Sequence, residues 1–365
     1  MLRRLTLVLV GLSLAAAVAA CNTNTTSLNG GVGVGPNFPS NSIYAAISSQ
    51  NLIDIWKAPA TNGAAAGYVI GGSSTTLNGP QFLAFDGTSN LWTTNYNSGT
   101  MSGSIIEYKA LATGNVLPLD AITYGLLGIP RGIAIETTTK TIAVATTVAA
   151  AQSPALPDQI QFYDTTSSNA TVPFLAITGS ATGLNIPSGI AYDSAGTIFV
   201  ANRQGASVES FAVPSPTPTP SPTTAPSPTP TPSTSPTPTP TPTPYALNNL
   251  PPHTVIAGSN TGLVNPTSVA LDSGNVIYVV DAGNPSVRVF AAGANGNVAP
   301  IHVIAGAATL ITLPTDVKVD SNGLIYVADP GAGKILVFAA NASGNVAPTL
   351  TLPATTSIVG VGLSP

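Results

Sequence analysis

The chain contains few charged side chains and very few reactive ones. Only 7% of its 365 residues are Asp, Glu, Lys or Arg, and it has one cysteine and two histidines. A single cysteine excludes a disulfide within the chain. The ten basic residues form no patch or run of the kind that binds nucleic acid, so we expect no nucleic-acid partner. With no recognisable catalytic set, the architecture becomes the main source of information.

The first residues predict export and lipidation. A basic start, residues 1–4, precedes an apolar run over 5–17 that is too short to span a bilayer. Val-Ala-Ala-Cys follows and resembles a bacterial lipobox, with Cys21 as the lipidated residue. We therefore predict a lipoprotein signal peptide over 1–20 and a flexible tether over 21–41. The lipid on Cys21 would hold the protein on a membrane of the bacterial cell envelope, in the periplasm or at the cell surface.

A module of about fifty residues recurs six times along the chain. It reads Pro-x-[Gly/Ser]-apolar-Ala-apolar-Asp, a short turn, Ile-Tyr-Val-Ala-Asp, and then Ile-x-x-Phe. Its clearest copies begin at Pro187, Pro266 and Pro314. Repeats of roughly 20–50 residues are typical of propellers and solenoids. Each copy holds four short segments rich in β-branched residues and bounded by turn residues, which is the pattern of a four-stranded propeller blade.

The sixth copy is divided between the two ends of the chain. Residues 42–46 match the second strand of the module, and Ile53 and Trp56 match its third strand. The missing first strand is matched by residues 360–364. Pairing these segments in one blade covers sheet edges that would otherwise be exposed. The sequence therefore predicts an all-β fold over 42–365, a six-bladed β-propeller of four-stranded blades closed by its N- and C-terminal strands.

The module resembles the NHL repeat, from about Ser42 to Pro365 outside one insertion, and most closely from Pro187 onward. The resemblance implies a six-bladed propeller. Similar propellers include protein-binding and RNA-binding platforms, lactonases, lyases and secreted proteins, so no single activity is implied. It also implies a ligand face formed by the ends of the second strands and by the loops that lead into the first strands.

Residues 214–244 differ abruptly from the rest in composition, since fourteen of these thirty-one residues are proline and the others are Thr, Ser and one Ala. Such a segment predicts disordered, extended polyproline II structure. The third strand of the fourth blade ends near Phe211 and its fourth strand begins near Thr254. We therefore predict an insertion inside that blade rather than a linker between domains. A glycosylated or wall-contacting arm and a neutral surface loop both remain open.

Polar residues at the implied ligand face are the candidates for a site. The candidates are Gln81, Asn95, Arg131, Asn202, Arg203, Asp281, Asp316 and Asp329. Guanidinium groups suit carboxylates and phosphates, so Arg131 and Arg203 could hold an anion or could pair with nearby acids. The Asn and Asp residues at the ends of the second strands have turn capping as their simpler role.

Metal chemistry is the second possibility at this face. The gluconolactonase-like members that the chain resembles use a Glu/Asn/Asp metal set near the channel. This chain offers Asn202, Asp281 and Asp329, but no Glu stands at the matching first-strand positions. We therefore predict no metal and no cofactor. The acids that follow the first strands are expected to cap hairpin turns, and His253 and His302 are expected to be structural residues at the start of fourth strands.

These patterns favour a non-enzymatic, membrane-anchored propeller that binds an envelope protein or a glycan through one face. The alternative is a metal-assisted lactonase-like or lyase-like enzyme with a site at the channel mouth. A second alternative is a structural envelope protein in which the Pro/Thr-rich insertion matters more than the propeller.

Overall fold

The computed structural model describes residues 40–125, 127–147, 157–213 and 245–365. The predicted signal peptide, Cys21 and the Pro/Thr-rich segment 214–244 lie outside the described residues, as does nearly all of the predicted tether. The predictions made for these segments therefore stay predictions.

The described residues form six sheets, antiparallel except for one strand pair, which we number as blades in chain order. Blade 1 contains β1 (Ile43–Ile47), β2 (Leu52–Trp56) and β3 (Tyr68–Gly71); blade 2 contains β4 (Pro80–Phe85), β5 (Leu91–Asn97), β6 (Ser102–Tyr108) and β7 (Asp120–Ile122); blade 3 contains β8 (Ile129–Glu136), β9 (Thr141–Thr147), β10 (Gln159–Asp164) and β11 (Leu175–Thr178). Blade 4 contains β12 (Pro187–Tyr192), β13 (Thr197–Asn202), β14 (Ser207–Ala212) and β16 (Thr254–Ala257). Between β14 and β16 the chain forms β15 (Tyr245–Asn248), which joins the sheet of blade 3. Blade 5 contains β17 (Pro266–Leu271), β18 (Ile277–Asp281), β19 (Ser286–Phe290) and β20 (His302–Ile304); blade 6 contains β21 (Asp316–Val319), β22 (Ile325–Asp329), β23 (Lys334–Phe338) and β24 (Leu350–Pro353); β25 (Ile358–Leu363) returns to blade 1.

Four single-turn 3₁₀ helices are the remaining regular elements of the described residues: Ser48–Gln50, Ser73–Thr75, Ser180–Thr182 and Ala307–Thr309. None of the helices in this part of the chain has the length and hydropathy needed to cross a bilayer.

The predicted closure of the ring is confirmed. β25 pairs antiparallel with β1, with Leu363 opposite Ile43 and Val361 opposite Ala45. The Ser364 amide donates to the Ser42 carbonyl at 3.0 Å and extends this pairing. β25 thus supplies the innermost strand of blade 1, and both faces of that strand are covered by neighbouring blades.

The first strands of the blades approach each other closely around the central channel, which explains the Gly/Ser position of the module. A Cβ on Gly132 would lie 2.3 Å from the Ser188 carbonyl oxygen, and one on Gly189 would lie 2.6 Å from the Ser268 Cα. Any larger side chain at these glycines would force the inner strands apart. The small residue at this position of the module therefore allows the first strands to lie close together around the channel.

The strand β14, which precedes residues 214–244, and the strand β16, which follows them, belong to the same sheet. β14 pairs antiparallel with β16, so that Val208 lies opposite Ile256. The strand β15 is a feature that the sequence did not predict. It pairs in parallel with β11 of blade 3 and gives that blade a fifth strand.

β15 extends a contact that recurs around the ring. The loop between the third and fourth strands of one blade forms an isolated parallel bridge with the fourth strand of the preceding blade, as in Ile70 with Gly114 and Ile304 with Gly344. At the junction of blades 3 and 4 this bridge becomes a four-residue strand pair. Residues 245–248 are therefore joined to blade 3 by regular backbone hydrogen bonding.

Candidate ligand-binding face

The ends of the second strands and the loops into the first strands lie on one side of the ring, which we call the upper face. The first-to-second hairpins and the third-to-fourth loops lie on the opposite, lower face. This division follows from the antiparallel order of strands in each blade. All eight predicted site residues belong to strands or turns of the upper half of the ring or to the inner strands.

Four of these residues fasten the upper loops. The side-chain oxygens accept hydrogen bonds from backbone amides of the loop that leads into the first strand of the same blade. Asn95 accepts from Asn78 at 2.7 Å, and Asn202 accepts from Asn185 at 2.6 Å. Asp281 holds the corresponding loop of blade 5, and Asp329 that of blade 6.

The carboxylates of Asp281 and Asp329 are buried, and both accept several hydrogen bonds from backbone amides. Asp281 and Asp329 are both 0% exposed. Asp281 also accepts from the amides of Gly283 and Asn284, and Asp329 accepts from Ala332. Each carboxylate thus fixes two upper loops at once. Turn capping, the simpler role expected from the sequence, is what these contacts provide.

Asp316 also stabilises the fold through buried contacts. Its carboxylate is 0% exposed and accepts from the Ser268 hydroxyl at 2.6 Å and from the Val361 amide at 2.9 Å. The Lys318 ammonium lies 3.4 Å away. Asp316 therefore ties the first strands of blades 5, 6 and 1 together. Gln81, at the junction of blades 1 and 2, is half-buried and donates to the Ser48 hydroxyl at 3.2 Å.

Arg131 and Arg203 are the two predicted residues that the structure brings together at an open site. Arg131 lies in β8, and Arg203 follows β13 in the adjacent blade. Burial and the positive charge of Arg203 lower the pKa of Arg131, while Asp158 acts in the opposite direction. Burial also lowers the pKa of Arg203. Both groups stay charged at neutral pH because guanidinium is so strong a base.

Each arginine side chain makes one hydrogen bond through its Nε atom. Arg131 Nε donates to the Thr147 hydroxyl at 3.5 Å, and Arg203 Nε donates to the Asn265 side-chain oxygen at 3.2 Å. Among the described residues, the single ion pair is that of Lys318 with Asp316. The two guanidinium groups are therefore held in position through their Nε atoms.

A cavity of about 430 Å³ opens beside the two arginines on the upper face. It is lined by Arg131, Ile186, Arg203, Gln204, Val264 and Asn265, which come from blades 3, 4 and 5. Sequence reasoning missed the four residues other than the arginines. They lie in the loops into the first strands and in the turn after Arg203, where the module varies and gives no pattern.

The described part of the chain contains no group of three or more His, Cys, Asp and Glu side chains that could hold a metal ion. The acids after the first strands cap hairpin turns, as predicted. For example, Asp193 accepts from the amides of Ala195 and Thr197, both at 2.8 Å. His302 lies in β20 and His253 directly precedes β16, as expected.

The chain is similar in structure to known propellers. It aligns with a chain of a nidogen/laminin complex at 16% identity and a TM-score of 0.57, over 89% of this chain and 98% of the other. For the periplasmic gluconolactonase of Pseudomonas aeruginosa, the identity is 13%, the TM-score 0.54 and the coverage 90% and 99%. A protein of unknown function from Bacteroides caccae aligns at 11% identity and a TM-score of 0.52, over 89% of this chain and 99% of the other.

These similarities show the fold alone. No protein-family model matches the chain, and no curated protein is similar to it in sequence. The chain is a six-bladed β-propeller.

Proposed function

We propose that the protein is a lipid-anchored propeller of the bacterial cell envelope, built of NHL-like repeats, that recognises an acidic protein or glycan through its upper face. The observation that supports this most is the cavity lined by Arg131 and Arg203, two charged guanidinium groups that are held in position through their Nε atoms. Paired guanidinium forks bind carboxylates in bidentate geometry. The rigid upper loops keep this cavity formed before a ligand arrives, which lowers the entropy cost of binding.

The upper-face contacts favour recognition over metal-assisted hydrolysis. A hydrolase that used Asp281 or Asp329 would need a carboxylate oxygen free for a metal or a proton. Both groups are instead engaged with several backbone amides and are shielded from solvent. Freeing either carboxylate would leave several partly buried amides without acceptors.

Binding to defined acidic polymers tests the proposal. Oligogalacturonate represents an acidic glycan and poly-glutamate an acidic protein segment, and calorimetry measures the affinity of each. We expect one of them to bind, less tightly at higher salt, and to lose about tenfold or more in affinity in Arg131→Gln and Arg203→Gln. Lys334→Gln is the matched control, because it removes one positive charge from the same face at the start of β23. Equal binding by wild type and both arginine variants would refute the proposal, as would no binding of either polymer.

The proposed membrane partner has its own test. Cells that express the full chain and are fed a labelled fatty acid should incorporate the label into the protein. Cys21→Ser should abolish the labelling and release the protein from the membrane fraction. Unchanged labelling of the variant would contradict lipidation at Cys21.

A further inference from the structure

Large apolar side chains are exposed along one part of the lower outer rim of the ring. The described residues expose eleven such side chains, and five of them lie in two neighbouring elements, the strand β3 of blade 1 and the loop between β6 and β7 of blade 2. Two of the five, Leu117 and Leu119, are 76% and 55% exposed. We call this group the rim patch; its members are Tyr68, Val69, Leu111, Leu117 and Leu119.

The two elements that carry the rim patch are joined by hydrogen bonds. The Gly114 amide donates to the Val69 carbonyl, and the Gly71 amide donates to the Gly114 carbonyl at 3.1 Å. The Asn115 side-chain oxygen accepts from the Ser74 amide at 2.7 Å. The rim patch therefore spans the junction of blades 1 and 2.

The loop of blade 2 holds its exposed leucines through the residues beside them. Ala112 and Val116 pack against a core cluster that contains residues of blades 1 and 2. The Leu119 amide donates to the Glu107 carbonyl at 2.7 Å, so the end of the loop continues the pairing of β6 with β7. Groups of exposed apolar side chains on a packed surface are typical of interaction sites.

Exposed lysines border the rim patch. Lys57 directly follows β2 and Lys109 directly follows β6, so they lie at the lower ends of blades 1 and 2. The acids on the neighbouring third and fourth strands, Asp54, Glu107 and Asp120, are buried or half-buried. The most accessible charges beside the patch are therefore positive, although the whole chain has a net charge of −4. An apolar surface bordered by lysines matches a bilayer interface, where phosphates lie above the acyl chains.

The N-terminal segment joins the ring on the same side. Ser40, the first described residue, precedes β1, and the first residue of that strand, Ile43, lies opposite Trp56 at the lower end of β2. The next residue after Trp56 is Lys57, which borders the rim patch. The segment that contains Cys21 is therefore connected to the lower end of blade 1.

We propose that the rim patch docks on the bilayer that holds the N-terminal lipid, an inference that rests on the proposed lipid anchor. Leu117 and Leu119 enter the boundary of the acyl chains, and Tyr68 lies at the level of the head groups. Lys57 and Lys109 contact lipid phosphates. The lipid keeps the patch close to the bilayer, so docking becomes an intramolecular step and needs little affinity of its own. The upper face then points away from the bilayer, where its cavity can meet a ligand.

A fluorescent label at position 119 tests the docking in the mature chain, residues 21–365, with Cys21→Ser. This chain has no other cysteine, so Leu119→Cys provides one thiol for an environment-sensitive nitrobenzoxadiazole label. The probe is vesicles of phosphatidylethanolamine and phosphatidylglycerol at about 5 mM lipid, a concentration chosen because even one myristoyl chain binds a bilayer only weakly. We expect the emission to shift to shorter wavelength and to rise by about twofold or more as the label enters the interface. Leu313→Cys, at a 48% exposed position of an upper loop, is the matched control and should not respond.

Two substitutions in the labelled chain test the apolar and the charged contacts separately. Leu117→Ser should weaken vesicle binding by about fivefold or more, because apolar area is lost from the contact. Lys57→Gln should weaken binding to these anionic vesicles by about fivefold, and binding to phosphatidylcholine vesicles by less than about twofold. Lys334→Gln removes a lysine at the start of β23, on the upper side of the ring, and should change neither.

Three results would overturn the proposal. The first is an unchanged emission at position 119 with vesicles, and the second is an equal change at positions 119 and 313. The third is a change that needs no vesicles and grows with protein concentration, which would assign the rim patch to a second copy of the chain. The tested chain lacks the lipid, so a failure of the labelling experiment at Cys21 stays distinguishable from a failure of docking.

Discussion

Single residues that depart from the module carry most of the functional information in this chain. Arg131 occupies a position where other blades have small or uncharged residues such as Ser188 and Thr267. Ala143 occupies a position that is aromatic in the other five blades. Lys318 replaces an alanine of the channel wall, and its ammonium faces the buried Asp316. Each departure produces a local charge or cavity that the repeat by itself does not require.

Asp54 in β2 supports a prediction about pH. Burial raises its pKa from 3.8 to about 6. The folded state therefore binds the proton more tightly than the unfolded state, and stability falls as the pH rises from about 4 to about 6. Asp54→Asn, which cannot ionise, should have a higher unfolding midpoint than wild type at pH 7.5 and the same midpoint near pH 4. Asp164→Asn, at an exposed position, serves as the control. A constant difference between wild type and Asp54→Asn across this range would contradict the assignment.

At the scale of elements, buried side chains at the ends of the second strands join each blade to the loop above it. Asp329 accepts hydrogen bonds from the amides of Thr312, Leu313 and Ala332. The loops of the upper face are therefore held by buried side chains of the strands, in addition to contacts between loops such as that of Arg203 with Asn265. This arrangement explains how irregular loops can present a preformed cavity.

Removal of one such side chain should be costly. Asp329→Ala leaves three partly buried backbone amides without their acceptor, so the free energy of unfolding should fall by about 2 kcal/mol or more. Asp164→Ala removes a carboxylate that also accepts from a backbone amide, that of Thr166, but at an exposed hairpin, and should cost less than about 1 kcal/mol. Urea unfolding measures both values. Similar losses in the two variants would contradict the role given to Asp329.

The sequence predicted the blades but only part of the site. The strand pattern and the split blade could be predicted because alternating apolar residues and turn residues repeat with the module. Arg131 and Arg203 were found as candidates because their charge stands out at the implied ligand face. The strand β15 was missed because it lies beyond a proline-rich segment and pairs with another blade, a contact that no local pattern records.

At the scale of the whole molecule, the ring depends on the strand β25. It is the inner strand of blade 1, and a Cβ added at Gly360 would lie 2.3 Å from the Gln81 carbonyl oxygen, which shows how closely it meets blade 2. Both neighbours and the edge of β1 would be exposed without it.

Deletion of residues 358–365 should therefore lower the unfolding midpoint by about 10 °C or more, since a loss of ~5 kcal/mol shifts a protein of this size by roughly that amount. Replacement of residues 214–244 by a Gly/Ser segment of equal length should change the midpoint by less than about 2 °C, because a long loop contributes little to stability. Calorimetry measures both. A small effect of the first change would show that closure by β25 is not needed for the fold.

We propose that the upper face recognises acidic ligands and does not hold a catalytic metal. The decisive experiment is thermal unfolding of the mature protein with Ca²⁺, Mg²⁺, Mn²⁺ or Zn²⁺, and with oligogalacturonate or poly-glutamate. A ligand at a hundred times its dissociation constant adds about 2.7 kcal/mol to the folded state, enough to raise the midpoint measurably. We predict a rise with an acidic polymer that disappears in Arg131→Gln, and no rise with any of the four cations. A rise with a cation that disappears in Asp281→Asn would contradict the account and establish a metal site in its place.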